Sequence, residues 1–257
     1  MKIVSWNVRG VGSKHKRSLI KATISTRNPD VVCFQETKVA TFKNSLLASL
    51  WGVADAKWFA LDADGSSRGI LIAWKSSSWD LLDSSRGNYS GSVKLKDKCS
   101  SFQCLISVVY GPNSDSDRPS FWEELTLARL SFAGPYCVVG DFNATCSADD
   151  HSRRRRPPPA MSQFSDWIQL HQLIDLPLSG ARYTSGRANP VLSRLDRFLI
   201  SLDWFDAFPN VQQIALPRTT SDHCPIFLSV EENWGPKPFK FNSSWLQSEA
   251  LRQNIKE

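Results

Sequence analysis

Short apolar runs that stop on polar, chemistry-bearing residues recur through the first 230 residues, and they limit the fold more than any other feature. Lys2 to Trp6, Asp30 to Gln35, Phe102 to Tyr110, Tyr136 to Val139, Ser193 to Ser201 and Pro225 to Val230 read as strands. Lys57 to Leu61 and Ile70 to Trp74 flank the turn segment Asp62-Ala63-Asp64-Gly65, and a strand near Val93 to Leu95 extends that meander. Helical periods fall between these strands. They run from about Lys16 to Ser25, over roughly Asn44 to Leu50, and from the capping-box spacing Ser120-Phe121-Trp122-Glu123 behind Pro119 to about Phe132. A fourth covers Met161 to Leu173, with Phe164, Trp167, Ile168 and Leu170 offered to the core. Alternation of the two periods predicts a layered α/β or α+β domain over 1–230. From Glu231 the chain becomes Pro-interrupted and polar, so 231–257 reads as a tail outside that domain.

Composition narrows the class. The 257 residues suit one or two domains, and a hydrophobic content of 41% excludes disorder. No apolar run approaches the ~18 residues of a membrane span, and the start Met1-Lys2-Ile3-Val4-Ser5-Trp6-Asn7 turns polar too early for a signal peptide. Cysteines at 33, 99, 104, 137, 146 and 224 show no zinc-like spacing. Cys33, Cys104 and Cys137 sit inside strand-like runs as small hydrophobes, which suits a reducing compartment, nucleus or cytoplasm. The net charge of +6 lies wholly in 1–230 and favours an anionic partner, nucleic acid before membrane. Arg153 to Arg156 supply four of those charges but read first as a solvated loop.

The polar strand ends carry the chemistry. Asn7, Glu36, Tyr110, Asp141, Asn143, Asp196 and the pair Asp222-His223 all sit at strand boundaries, where layered folds bind ligands. Singly, each is an ordinary turn residue. Together they supply hard oxygen ligands, a water-orienting carboxylate and amide, and phosphate donors. Oxygen-rich ligation without cysteine points to Mg²⁺ or Mn²⁺. Asp141 would orient or deprotonate a water, and His223, backed by a carboxylate, would donate to a phosphate. These residue types describe metal-assisted phosphoester hydrolysis. There is no His-Glu-x-x-His, phosphate-binding Gly-x-x-x-x-Gly-Lys or dinucleotide Gly-x-Gly-x-x-Gly. His15, His151 and His171 read as structural or solvated.

At these residues the chain resembles a known superfamily. Ser5-Trp6-Asn7-Val8-Arg9-Gly10, Phe34-Gln35-Glu36-Thr37-Lys38, Val109-Tyr110-Gly111-Pro112-Asn113, Gly140-Asp141-Phe142-Asn143, Arg194-Leu195-Asp196-Arg197-Phe198 and Ser221-Asp222-His223-Cys224-Pro225-Ile226 occur in order. They resemble the endonuclease/exonuclease/phosphatase superfamily, and within it the endonuclease domain of plant LINE-type (non-LTR) retrotransposons. The tail Pro238-Phe239-Lys240-Phe241 through Trp245-Leu246 is similar to the connection toward a reverse transcriptase, the partner domain in a full-length element.

The resemblance implies a DNase I-like fold: two packed β-sheets flanked by helices in an αββα sandwich, with the site at one edge. It implies that Glu36 binds Mg²⁺ with Asn7 and Asp222 nearby, Mn²⁺ being the other ion of that class. Asp141 and Asn143 would position the water, His223 would contact the scissile phosphate with Asp196 behind it, and Tyr110 would stabilise the phosphate or leaving oxygen. One DNA strand would be nicked to leave a 3′-hydroxyl, with no small-molecule cofactor and no membrane. Arg9, Lys14, Lys16, Arg17 and Lys38 would contact backbone phosphates, and Thr184 and Arg187 would lie on a DNA-facing loop.

The sequence departs from the pattern at three places. Arg9 stands where abasic-site repair relatives carry an acid. The segment Tyr183 to Arg187 lacks the Trp that follows Thr in plant relatives. The run Arg153-Arg154-Arg155-Arg156-Pro157-Pro158-Pro159 is unusual after its Gly-Asp-Phe-Asn block. Two other readings stay open: a same-fold hydrolase of another phosphoester (abasic DNA or a phosphoinositide), and a non-catalytic nucleic-acid-binding remnant.

Overall fold

Each half of the chain is built on a strand–helix–strand unit. In the first, β1 (Lys2–Asn7) leads through α1 (Lys14–Ser25) to β2 (Val31–Gln35), which lies parallel to β1. After α2 (Asn44–Leu50), the hairpin of β3 (Ala56–Leu61) and β4 (Ile70–Lys75) joins through β4, antiparallel to β2. An antiparallel meander follows: β5 (Trp79–Arg86), β6 (Ser90–Asp97) and β7 (Gln103–Tyr110). The second unit runs from β7 through α3 (Arg118–Leu130) to the parallel β8 (Tyr136–Asp141). Next come α4 (Pro159–Leu170), β9 (Leu173–Asp175), β10 (Leu178–Ser179) and the ribbon of β11 (Ser185–Gly186) with β12 (Leu192–Ser193). The order closes with β13 (Asp196–Ser201), α5 (Leu202–Ala207), β14 (Val211–Ala215) and β15 (Ile226–Val230). The computed structural model describes residues 1–63, 69–153, 158–186 and 191–230. The expected tail 231–257, most of the arginine run and Arg187 lie outside these described residues, as do Asp64 and Gly65 of the expected turn.

The strands assemble into two mixed sheets, ordered β10-β14-β15-β1-β2-β4-β3 and β5-β6-β7-β8-β13-β9. Their inner faces meet through Ile3, Cys33 and Ile72 on one side and Ile106, Cys137, Val139 and Phe198 on the other. Period-two alternation sends the neighbouring residues outward. Val4, Trp6 and Phe34 pack under α1 and α2 through Ile20, Ile24, Leu47 and Leu50. Leu105, Val138 and Leu199 pack under α3 and α4 through Phe121, Leu125, Phe164 and Trp167. Central strands buried on both faces explain the near-continuous apolar runs of the sequence. The expected αββα sandwich is therefore the fold. Among the described residues, no helix is long and apolar enough to cross a membrane. All six cysteines are free, and Cys33, Cys104 and Cys137 are buried strand residues as expected.

Several element boundaries differ from the sequence reading. The third helix begins at Arg118, so Ser120 lies inside its first turn and makes no capping box; its cap position is Asp117, without a side-chain bond. Leu170, expected in the core, is 74% exposed. The inward stripe of α4 is Ala160, Met161, Phe164 and Trp167, a three-to-four spacing from which Leu170 is rotated away. Leu173 starts β9 instead of ending that helix, and the single strand expected over Ser193 to Ser201 divides into β12 and β13. The remaining unannounced strands are short or, like β5, exposed along nearly their whole length, so they carry no apolar alternation.

Among the described residues, Arg197 is the most completely buried charge. Odd and even residues of β13 face opposite ways, so Asp196 points to the sheet interface while Arg197 enters the helical layer, 5.8 Å from the Phe164 ring centroid. Its guanidinium bonds both Asp150 and Asp175, and Arg194 shares Asp175 at 2.8 Å. Asp150 also accepts the backbone N–H groups of Cys146 (2.7 Å) and Ser147 (3.0 Å). Removing one partner of a buried pair strands the other charges. Arg197→Ala is therefore expected to lower the unfolding free energy by about 3–5 kcal/mol, read from the denaturant midpoint.

Candidate active site

Strand direction gathers the polar ends at one edge of the sandwich. Asn7 ends β1 and Glu36 follows β2, the parallel pair of the first unit; Tyr110 and Asp141 end the parallel pair β7 and β8. Asp196 opens β13 opposite Asp141, because β13 runs antiparallel to β8. His223 precedes β15, which is antiparallel to β1, and so reaches the same edge. Trp6 Nε1 donates to the His223 carbonyl at 3.0 Å, and Ser221 Oγ donates to the Asn7 carbonyl at 2.7 Å.

Asn7 joins the two sheets. Its buried Nδ2 donates to Glu36 Oε1 and to Asp141 Oδ2, both at 2.9 Å. Asp141 accepts the Asn143 backbone N–H at 3.0 Å through its other oxygen. The Asn143 side chain donates to the Gly111 carbonyl at 2.8 Å, and Arg118 Nη2 donates to the Asn143 carbonyl at 2.8 Å. A Cβ on Gly111 would lie 2.2 Å from the Phe142 carbonyl oxygen, so only glycine lets these two loops close together. Arg9, Glu36, Lys38 and Asn143 all hold left-handed φ angles of +47° to +55°. Such backbone is costly for non-glycine residues and clusters at functional sites.

His223 and Asp196 form a buried pair. His223 Nδ1 lies 2.8 Å from Asp196 Oδ2, which leaves Nε2 at 3.7 Å from Asp141 Oδ2 and 3.3 Å from Ser185 Oγ. Burial lowers the imidazole pKa, but the charge and hydrogen bond of Asp196, then the charge of Asp141, more than offset it and lift it to about 9. Burial also holds the Asp141 carboxyl above the usual range, with His223 opposing and Asp196 adding to that rise. Tyr110 stays a phenol. Burial, reinforced by the Glu36 and Asp141 charges, raises it well above its ordinary value, and Glu36 and Asn113 are its hydrogen-bond partners.

Thr184 sits beneath this pair. Expected on a DNA-facing loop, it is fully buried, and its hydroxyl accepts the N–H groups of Leu195 and Asp196, each at 3.0 Å. It thus holds Asp196 in place and presents nothing to a duplex. Thr184→Val leaves two buried donors without an acceptor and is expected to destabilise the fold by about 1–3 kcal/mol, measured by thermal or urea unfolding.

The donors suit a divalent ion. Asp141, Asp196 and His223 bring one ligand atom each within 4.8 Å of one another, and Glu36 and Asn7 add further oxygens beside Asp141. Cations rim the mouth. Arg9 Nε lies 2.6 Å from Asp222 Oδ1, Lys38 Nζ 3.7 Å from Glu36 Oε2, and Lys16 Nζ donates to the Arg9 carbonyl at 2.9 Å. Lys14 is exposed at the first residue of α1. Arg17 spends its guanidinium on the Val11 and Gly12 carbonyls, clasping the loop before the helix. The first turn of α1 has no acid and several bases, opposite to what a helix N-terminus favours.

Four participants carried no signal of their own in the sequence. Ser221 lies inside the Asp-His-Cys-Pro block but is ordinary as a residue type. Asn113 likewise closes the Val109 to Asn113 block without standing out as a residue type, and Ser185 and Arg118 acquire their places only through contacts made by folding. Arg118 is buried at the start of α3, where an arginine reads as a solvated helix end.

A family model described as the endonuclease/exonuclease/phosphatase family matches residues 4–223. A search of curated proteins found no match. Among solved structures, the chain is similar to AP endonuclease LMAP from Leishmania major (TM-score 0.69, 20% identity, 88% of this chain and 86% of that one). It is likewise similar to the endonuclease domain of TRAS1, a telomere-specific non-LTR retrotransposon (TM-score 0.69, 14% identity, 89% and 97%). A third is the mannosyl-6-phosphatase Bt3783 from Bacteroides thetaiotaomicron (TM-score 0.63, 14% identity, 89% and 98%). At these identities the structural likenesses speak to the fold.

Proposed function

This chain belongs to the endonuclease/exonuclease/phosphatase family, and from that premise we propose that it is a Mg²⁺-dependent DNA endonuclease. It nicks one strand, leaves a 3′-hydroxyl, and serves target-site cleavage by a retroelement whose full-length form carries a reverse transcriptase. The nucleus is where such a substrate lies. The observation that carries the reading is the buried set Asn7–Glu36–Asp141 with Asp196–His223, opening beneath Arg9, Lys16 and Lys38.

Each residue has a role its surroundings support. Asp141, with its carboxyl pKa raised by burial, orients and deprotonates the attacking water, helped by Asn143. His223 remains a cation at neutral pH and donates to the scissile phosphate, its ring held by Asp196. Tyr110, kept protonated, donates to the phosphate or the departing oxygen. Glu36 and Asn7 would hold Mg²⁺, and the oxygen-rich set accepts Mn²⁺ as well. Such an ion, when bound, neutralises a phosphoryl oxygen and the leaving group. The resemblance adds Asp222 to that set, against which stands its ion pair with Arg9. Lys14 and Lys16 in the first turn of α1 would find in DNA phosphates the anions that a helix N-terminus favours.

Supercoiled plasmid incubated with Mg²⁺ or with EDTA tests the reading. Open circles are expected with Mg²⁺ alone, bearing ends a polymerase can extend. The rate should fall steeply with salt, by a log–log slope of about −0.9 for each phosphate neutralised. Release of phosphate from sugar or inositol phosphates without nicking would replace the endonuclease with another phosphoester hydrolase. A folded protein that shifts DNA yet never cuts it would be a binding remnant.

A further inference from the structure

Asp222 reaches the mouth of the site already carrying a cation. Its Oδ1 lies 2.6 Å from Arg9 Nε, and the two side chains are 18% and 34% exposed. Backbone geometry holds Arg9 for that contact. Its φ is +47°, its N–H donates to Asn7 Oδ1 at 3.2 Å, and its carbonyl accepts from Lys16 Nζ at 2.9 Å. The next N–H, of Gly10, donates to the Glu36 carbonyl at 2.6 Å. A left-handed arginine persists only where its surroundings over-determine it, and a guanidinium does not lose its proton in a protein. Asp222 therefore faces a permanent positive charge at contact distance. Glu36 differs: its nearest cation is the ammonium of Lys38, 40% exposed, at 3.7 Å.

Resting on the metal-dependent reading above, we infer that Arg9 is a built-in counter-cation that withdraws Asp222 from the metal's donor set. The ion is then held from the Glu36 and Asn7 side, one per chain, and Asp222 serves to anchor Arg9 at the substrate entrance. Three basic side chains, Arg9, Lys16 and Lys38, already surround Glu36 and Asp222 at the mouth. A second dication there would have to displace the guanidinium.

Mn²⁺ binding to the full chain without DNA, followed by the electron-spin signal of the free ion, tests this apart from activity. The parent should bind one ion. Asp222→Asn should keep the affinity within about twofold, whereas Glu36→Gln should weaken it by about 10-fold or more, as loss of a metal partner does. Arg9→Gln should strengthen binding or add a second ion, and the double variant Arg9→Gln/Asp222→Asn should lose that gain. Arg9→Gly, which tolerates the left-handed turn, repeats the Arg9 test if the glutamine variant misfolds. Weakening by Asp222→Asn equal to that by Glu36→Gln would overturn the inference, and so would an Arg9 variant that gains nothing. A parent that binds no Mn²⁺ would strike instead at the metal-dependent reading itself.

Discussion

Replacing His223 with alanine is expected to slow plasmid nicking by about 10²–10⁴-fold, the span that general acid–base groups contribute, while DNA binding persists. The imidazole is buried, held by Asp196 at 2.8 Å, and has its other nitrogen 3.3 Å from Ser185 Oγ and 3.7 Å from Asp141. Its pKa is raised to about 9, against an ordinary value of 6.5. A rate that needs the cation should therefore hold through neutral pH and fall as pH rises through about 9. The same sign governs stability. The contribution of this pair is complete below about 6.5 and is lost between there and about 9 as the native-state proton leaves. Asp196→Asn removes the largest cause of the rise and should move the alkaline limb toward lower pH, a shift that mere loosening of the fold would not produce. A pH profile of kcat for the parent and both variants checks the kinetic statements, and urea unfolding of the parent between pH 6.5 and 9 checks the one on stability. An unmoved limb in Asp196→Asn would reassign that limb to another group.

Asp141→Asn is expected to cost a similar factor, about 10²–10⁴ in kcat, at nearly constant shape. The carboxylate is the hub of the site. It accepts from Asn7 and Asn143 and faces His223, so an amide there both forfeits the base and turns a donor toward donors. Because Asp141 also supports the His223 cation, the two substitutions should be strongly non-additive. The double variant is expected to be little slower than the worse single one, as residues acting as a unit are. Fully additive losses would mean that the two act in separate steps.

Much of this was legible before folding. Six strand ends carried their polar residues in plain view, because central strands buried on both faces leave polarity nowhere else to appear. What stayed hidden depends on distance along the chain. Nothing local announces that Asn7 bonds Asp141 or that Trp6 meets His223, 217 positions away. Thr184 reads as a loop hydroxyl, yet the fold buries it under Asp196. Arg17 reads as a phosphate contact, yet it clasps its own loop. Arg197 reads as a surface charge until period-two geometry turns it inward onto Asp150 and Asp175. The exposed edge strand β5 offered no apolar pattern to read.

The pairing of β15 with β1 has a consequence for the timing of synthesis. β15 is inserted between β14 and β1, which lies at the other end of the domain's sequence, and His223 stands just ahead of it in the chain. While the chain is still emerging, β1 keeps an open edge and the carboxylates of Glu36 and Asp141 wait without their imidazole. Domains fold as units, so the proposed site is incomplete in a partly built copy. Under the proposed function, the site acquires its imidazole only when β15 pairs with β1.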